Sequence, residues 1–212
     1  MHLYLNGEKL NNYNPENKPI IGFSAGDLNG IGPELIIKAL SDPRILEFLT
    51  PVVFASNKVI NFYRKNLTDF NFNFTSLKDV SKLNPKQVNI FNCWEEDVVI
   101  IPGELNETGG KYAIQSLLMA TEALKNGHIH ALVTAPIHKK NVHTHEFPYA
   151  GHTPFLMDYF QRKDVVMLLA AGDFSVGLVT EHVPLKDVAS YITKENIISK
   201  LNNLHASLKR DF

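Results

Sequence analysis

Residues 18–40 read KPIIGFSAGDLNGIGPELIIKAL, and the fold is decided there. The run from Lys18 to Ser24 is apolar and predicts a buried strand. A turn carrying Gly26, Gly30 and Gly32 follows. Pro33 then stands where a first helical turn tolerates a missing N–H, and Glu34 lies near the positive end of the helix. Leu35, Ile36, Ala39 and Leu40 make the predicted buried face. Strand, glycine turn and amphipathic helix in succession open an α/β sheet.

Working outward, the same alternation continues. Residues 51–55 predict a second strand, and Ser56 or Asn57 starts a helix over 57–66. Short strands are expected at 71–75, 88–91 and 98–101. A helix over 108–127 presents Tyr112, Ala113, Ser116, Leu117, Ala120 and Leu124 at helical spacing, and Gly127 closes it. Residues 130–134 form a strand and 153–160 a helix. Strands at 165–170 and 175–180 are joined by a turn at Gly172 and Asp173. One more helix starts at Pro184 and runs to Tyr191, and Thr193 caps a last one towards Arg210. Strands alternating with helices predict a sheet covered on both faces. Residues 1–19 are polar and Asn-rich and read as an N-terminal extension. The chain stops straight after its last helix, which leads us to expect a C-terminally truncated chain.

Composition excludes several classes of function. The 212 residues are 44% hydrophobic and 20% charged, with a net charge of −1. That suits a globular protein and offers no basic face for nucleic acid or an anionic membrane. A single cysteine, Cys93, excludes a disulfide framework and reads as a packed thiol beside Trp94. Residues 1–19 lack the apolar core expected of a signal peptide, no apolar run reaches membrane-spanning length, and cytoplasmic residence is expected.

Three stretches hold side chains suited to chemistry. Gly26 to Glu34 joins a strand to a helix start, where backbone N–H groups can approach an anion. Its spacing matches neither dinucleotide nor nucleotide fingerprints, and a tight turn is the favoured reading. The stretch TAPIHKKNVHTHEFPYAGHTP, residues 134–154, holds four histidines after a buried strand. His143 and His145 read as solvated loop. Gly151 lets the backbone approach a ligand, while His152 and Thr153 at a helix start suit a phosphate or carboxylate, with Lys139 and Lys140 adding charge; on the residues alone a structural role for His152 is as close a reading. His182 follows a strand and precedes Pro184, at the edge where ligands of open α/β sheets bind. It is equally readable as a structural histidine or as one ligand of a metal.

Four motifs in order, GDLNGIGPE at 26–34, TAPIHK at 134–139, GHT at 151–153 and HVPL at 182–185, resemble the 4-hydroxythreonine-4-phosphate dehydrogenase family of pyridoxal phosphate biosynthesis. The resemblance runs from about residue 20 to the end of the chain. It implies a two-domain α/β fold like isocitrate and isopropylmalate dehydrogenases, with residues 20–212 as its N-terminal part, working as a homodimer. It implies NAD or NADP and a divalent metal (zinc, magnesium or cobalt) as cofactors. The implied reaction is oxidation of 4-phosphooxy-L-threonine and decarboxylation to 3-amino-2-oxopropyl phosphate. His152 and Thr153 would bind the phosphorylated substrate, and His182 would be a metal ligand. No residue is assigned as catalytic or as cofactor-binding.

The family's other two metal-binding histidines lie in Asn-Pro-His-Ala-Gly and Tyr-His-Asp-Gln motifs, which this sequence lacks. His205, in a Leu-His-Ala context, is no substitute. With one of three ligands, the chain is not expected to turn over unaided. Leu28-Asn29 also stands where Pro-Ala is common, Pro154 where Glu is usual and Glu181 where Thr is usual. Glu181 sets a negative charge beside a metal ligand, as a partner to it. These departures keep open 4-phospho-D-threonate or 4-phospho-D-erythronate as substrates. A metal-dependent lyase or hydrolase acting on a phosphorylated acid, and a non-catalytic binding remnant, are the readings from other classes.

Overall fold

The computed structural model describes residues 4–5, 8–9, 18–163, 165–172 and 174–211. Packing divides the chain into two units, residues 13–156 on one hand and 1–12 with 157–212 on the other.

The first unit is an α/β sheet. The short pairs Tyr4–Leu5 (β1) and Glu8–Lys9 (β2) precede it in sequence, and β3 (Ile20–Ser24) begins it. There follow α1 (Gly32–Leu40), α2 (Ile45–Phe48), β4 (Thr50–Ala55), α3 (Asn57–Asn66), β5 (Phe74–Leu77), β6 (Val88–Asn92), α4 (Glu107–Lys125), β7 (Ala131–Thr134), α5 (Lys139–Val142) and the first part, to Leu156, of α6 (His152–Tyr159). The strands lie in the order β5-β6-β4-β3-β7, every pair parallel. All six residues of β4 are buried, as expected for a central strand covered on both faces.

Local signals fix most of the boundaries. Ser56 caps α3 by accepting from the Lys58 N–H at 3.3 Å, and Asn106 caps α4 by accepting from the Gly109 N–H at 2.9 Å. At the far end of α4, Gly127 has φ +72°, and the His128 N–H returns to the Ala123 carbonyl at 2.9 Å. This is the glycine closure expected of a helix C-terminus.

Three sequence expectations are corrected. The buried face of α1 is Gly32, Pro33, Ile36, Ile37 and Leu40, while Leu35 is 46% exposed and Ala39 is exposed. The helix docks through Gly32, where an added Cβ would lie 2.3 Å from the Ala25 carbonyl oxygen. That contact rotates the inner face away from Leu35. Residues 98–101 form no strand, because the Ile101 N–H is held by Asn29 Oδ1 at 2.9 Å instead of a neighbouring strand. The first of the short strands lies at Phe74–Leu77 rather than 71–75.

Between β5 and β6 the chain crosses without a helix. Asn89, wholly buried, holds that crossing together. Its amide donates to the carbonyls of Pro51, Asn84 and Gln87 at 3.1, 3.0 and 3.0 Å. Its oxygen accepts from the Asn84 N–H at 2.8 Å. A buried amide satisfied on both ends is tolerable in a core.

The second unit contains the β1–β2 pair, the antiparallel hairpin β8 (Leu168–Ala171) and β9 (Phe174–Gly177), α7 (Val188–Tyr191) and α8 (Lys194–Asp211). Both hairpin strands are shorter than the 165–170 and 175–180 expected. Gly172 turns the hairpin with φ +57°; Asp173, the other expected turn residue, lies outside the described residues. The helix expected from Pro184 to Tyr191 opens as a 3₁₀ turn, Leu185–Asp187, before α7. Thr193 caps α8, its hydroxyl accepting from the Asn196 N–H at 3.2 Å. No helix among the described residues is long and apolar enough to cross a membrane.

Candidate functional site

From β3 the chain moves to one side of the sheet through β4, β5 and β6, and α4 then carries it back to β7 on the other side of β3. The carboxyl ends of β3 and β7 therefore mark the topological switch point, where ligands of open parallel sheets bind. Two of the stretches singled out in the sequence, 26–34 and 134–154, begin there.

These two loops are tied to each other. The Asp27 N–H donates to the Pro136 carbonyl at 3.0 Å and the Ala135 N–H to the Ser24 carbonyl at 3.2 Å. Gly26 has φ +70°, and an added Cβ would lie 2.3 Å from the Pro136 oxygen, so glycine is required for conformation and for space. Asp27, 6% exposed, accepts from the Asn29 N–H at 2.8 Å and from the Asn141 amide at 2.7 Å. Asn29 donates to Asn106 Oδ1 at 2.9 Å, and Asn141 donates to the Asn106 carbonyl at 2.9 Å. The polar groups of the glycine turn are thus largely engaged within the protein, in keeping with the tight-turn reading. Asn106 and Asn141 were not singled out from the sequence, since isolated asparagines carry no spacing signal.

Beyond β7, His138 caps α5, its Nδ1 accepting from the Lys140 N–H at 3.3 Å. His143 and His145 are exposed, as expected. His143 precedes and His145 lies within a tight turn in which the Thr144 N–H donates to the Phe147 carbonyl at 3.1 Å and the Phe147 N–H donates to Thr144 Oγ1 at 3.1 Å. Phe147, Tyr149 and Phe155 form a cluster with ring centroids 5.1 to 5.5 Å apart. This cluster anchors the start of α6 and therefore the Gly151–His152–Thr153 tripeptide.

His152 is half-buried. Its Nε2 is buried without a hydrogen-bond partner. Desolvation holds its imidazole below the usual histidine range, so the ring is neutral at neutral pH. Thr153 is exposed. Gly151, just before the helix, has no side chain with which to cap it. A neutral imidazole, a hydroxyl and a helix start are together suited to an oxyanion.

His182 belongs to the other unit. It is exposed and has φ +55°, one of two described non-glycine residues in the left-handed region. Glu181, expected beside a metal ligand, lies 3.9 Å from Lys200. A zinc-type centre takes three or four protein donors. Among the described residues, no group of three or more histidine, cysteine, aspartate or glutamate side chains is placed to hold an ion. His182 fits as one donor, and the described residues do not complete a centre. Cys93 is buried, and desolvation pushes its thiol far up, which matches a packed thiol.

The fold and switch-point loops define an α/β protein of mostly parallel sheet with a candidate oxyanion-binding helix start. The sequence profile described as pyridoxal phosphate biosynthetic protein PdxA matches residues 47–212. The chain belongs to this family. It is 38% identical over 198 residues to a 4-hydroxythreonine-4-phosphate dehydrogenase of Bacteroides thetaiotaomicron, covering 93% of this chain and 54% of the relative. A Clostridium botulinum protein named as a candidate D-threonate 4-phosphate dehydrogenase is 27% identical, covering 92% of this chain and 59% of its own length. A crystal structure of a 4-hydroxythreonine-4-phosphate dehydrogenase from Burkholderia phymatum superposes with a TM-score of 0.80 at 25% identity, over 91% of this chain and 58% of that one. The chain therefore spans little more than half the length of the proteins it matches.

Proposed function

We propose that the protein serves as a PdxA-family dehydrogenase of pyridoxal phosphate biosynthesis, oxidising 4-hydroxythreonine 4-phosphate (4-phosphooxy-L-threonine). In this reading it works in the cytoplasm, as a homodimer of the isocitrate/isopropylmalate dehydrogenase-like arrangement. The observation that carries the reading is the partnerless, buried Nε2 of His152 beside exposed Thr153, in a chain 38% identical to a relative of that name. D-Threonate 4-phosphate is the second reading. It is favoured by the Clostridium relative and by Pro154, which stands where the first family usually has a carboxylate beside the substrate.

His152 and Thr153 bind the phosphorylated end of the acid. Nε2–H of the neutral imidazole and the threonine hydroxyl donate to phosphate oxygens. Anchoring that end fixes the carbinol carbon in one orientation, which supplies proximity rather than acid–base chemistry. NAD(P)⁺, when bound, supplies the hydride acceptor, and a divalent ion supplies charge stabilisation at the developing alkoxide. His182 would give that ion one imidazole. For 4-hydroxythreonine 4-phosphate, oxidation yields a β-keto acid that then loses carbon dioxide.

The test offers both phosphorylated acids with NAD⁺ or NADP⁺ and a divalent ion, and follows NAD(P)H formation together with direct binding of each acid. The acid that binds in a His152-dependent manner, and is oxidised where turnover occurs, is the substrate. Binding of neither acid overturns the reading.

A further inference from the structure

We propose that Lys139 is the charged arm of the His152–Thr153 site, pairing with the phosphate and setting the preference for phosphorylated over unphosphorylated acids. This rests on the function proposed above. Lys139 is the first residue of α5 and is exposed. Among the described residues its ammonium has neither an ion pair nor a hydrogen-bond partner. Its stem nevertheless does not point away into solvent. Its Cε lies 3.8 Å from the position a Cβ would take on Gly151, and apart from the chain neighbours Ala150 and His152 no other described residue comes within 4 Å of that position.

The base of this arm is fixed. Two residues on, the Asn141 amide donates to Asp27 Oδ2 at 2.7 Å and to the Asn106 carbonyl at 2.9 Å. The segment carrying Lys139 is thereby tied to the glycine turn after β3 and to the start of α4. A long cation normally loses much rotamer freedom on pairing. An anchored backbone and a stem already laid along Gly151 reduce that loss.

The charge balance of the site calls for such a group. His152 is held neutral by burial and Thr153 carries no charge, so neither offsets a phosphate dianion. A charge-assisted bond from an ammonium does so, and such bonds are roughly twice as strong as neutral ones. Lys140 adjoins Lys139 in sequence, but none of its atoms lies within 4 Å of the Gly151 Cβ position. It therefore serves as the internal control.

The experiment titrates inorganic phosphate, 4-hydroxythreonine 4-phosphate and 4-hydroxythreonine into the 212-residue protein, reading the amide signals of Gly151 and Thr153. Lys139→Met keeps the length of the stem and removes the charge, so it should weaken the phosphorylated acid by about tenfold or more. It should also remove most of the preference over 4-hydroxythreonine. Lys139→Arg should retain most of the affinity, and Lys140→Met should leave it unchanged. Wild-type affinity in Lys139→Met, an equal loss in Lys140→Met, or no phosphate binding by the parent protein overturns the assignment. If inorganic phosphate binds through Lys139 but neither phosphorylated acid binds more tightly than phosphate, Lys139 stands and the proposed function falls.

Discussion

His130 holds the amino ends of β7 and β3 together. Its Nδ1 accepts from the Ile20 N–H at 2.9 Å, and its own N–H donates to the Ile20 carbonyl at 2.8 Å. Protonation of Nδ1 would remove the first of these bonds, and desolvation already lowers the pKa of this ring. A proton therefore binds more readily to the unfolded chain. The stabilisation is complete above the ordinary histidine value of about 6.5 and is lost as pH falls below it. An NMR titration should place the midpoint of His130 below that value, and the denaturation midpoint of the protein should fall on acidification through the same window. A midpoint at or above the free value would contradict the assignment.

Gly110 makes a second prediction at this scale. Ala is ordinarily the better helix former by about 1 kcal/mol. Here an added Cβ would lie 2.1 Å from the Asn141 carbonyl oxygen, a backbone atom that the Asp27–Asn106 network holds in place. Gly110→Ala should cost about 1–3 kcal/mol in urea denaturation, as overpacking does. A gain in stability would show that α5 yields freely. Gly26 and Gly32 were legible in the sequence because they sit in a turn. Gly109 and Gly110 were not, because inside a helical pattern a glycine reads only as a weak helix former. What makes them necessary is the approach of residues about 80 and 30 positions away, Asp27 and Asn141, which spacing does not encode.

At the scale of elements, α4 does more than cover the sheet. Ser116 Oγ accepts from the Ala25 N–H at 2.8 Å and donates to the Phe54 carbonyl at 2.6 Å. It bridges β4 and the residue after β3, where the chain leaves the sheet for the glycine turn. Ser116→Ala would leave a buried donor and a buried acceptor unpaired, costing about 1–3 kcal/mol. The loss should appear in the denaturation midpoint, and amide exchange at Ala25 should rise. An unchanged midpoint would mean that the bridge contributes nothing. Periodicity placed Ser116 on the inner face of α4 without revealing this role. Apolar runs made β3 and β4 easy to find, Ser56 located the start of α3 and Gly127 the end of α4. Residues 98–101 misled because an unbroken apolar run, Val98 to Ile101, in a segment pinned by Asn29 looks like a strand. The face of α1 was misread by one position because glycine and proline contribute nothing to an apolar pattern, although Gly32 and Pro33 are the contact.

Across the whole molecule, the parallel sheet supplies the large apolar core, formed by residues such as Val52, Phe54, Ile60, Ile90 and Leu117. By contrast, none of the described side chains from 157 to 209 is fully buried. The family was legible from four short motifs in order, and the PdxA profile bears that out over residues 47–212. The motifs name residues without describing their surroundings. The aromatic cluster that fixes α6, the partnerless Nε2 of His152 and the stem of Lys139 along Gly151 come only from the folded chain. The central claim is that the start of α6 holds a phosphorylated hydroxy acid, and amide NMR of the 212-residue protein titrated with 4-hydroxythreonine 4-phosphate tests it most directly. The account predicts saturable shifts centred on Gly151, His152 and Thr153, strongly weakened in His152→Ala. Shifts that do not saturate, that centre elsewhere, or that persist unchanged in His152→Ala would contradict it.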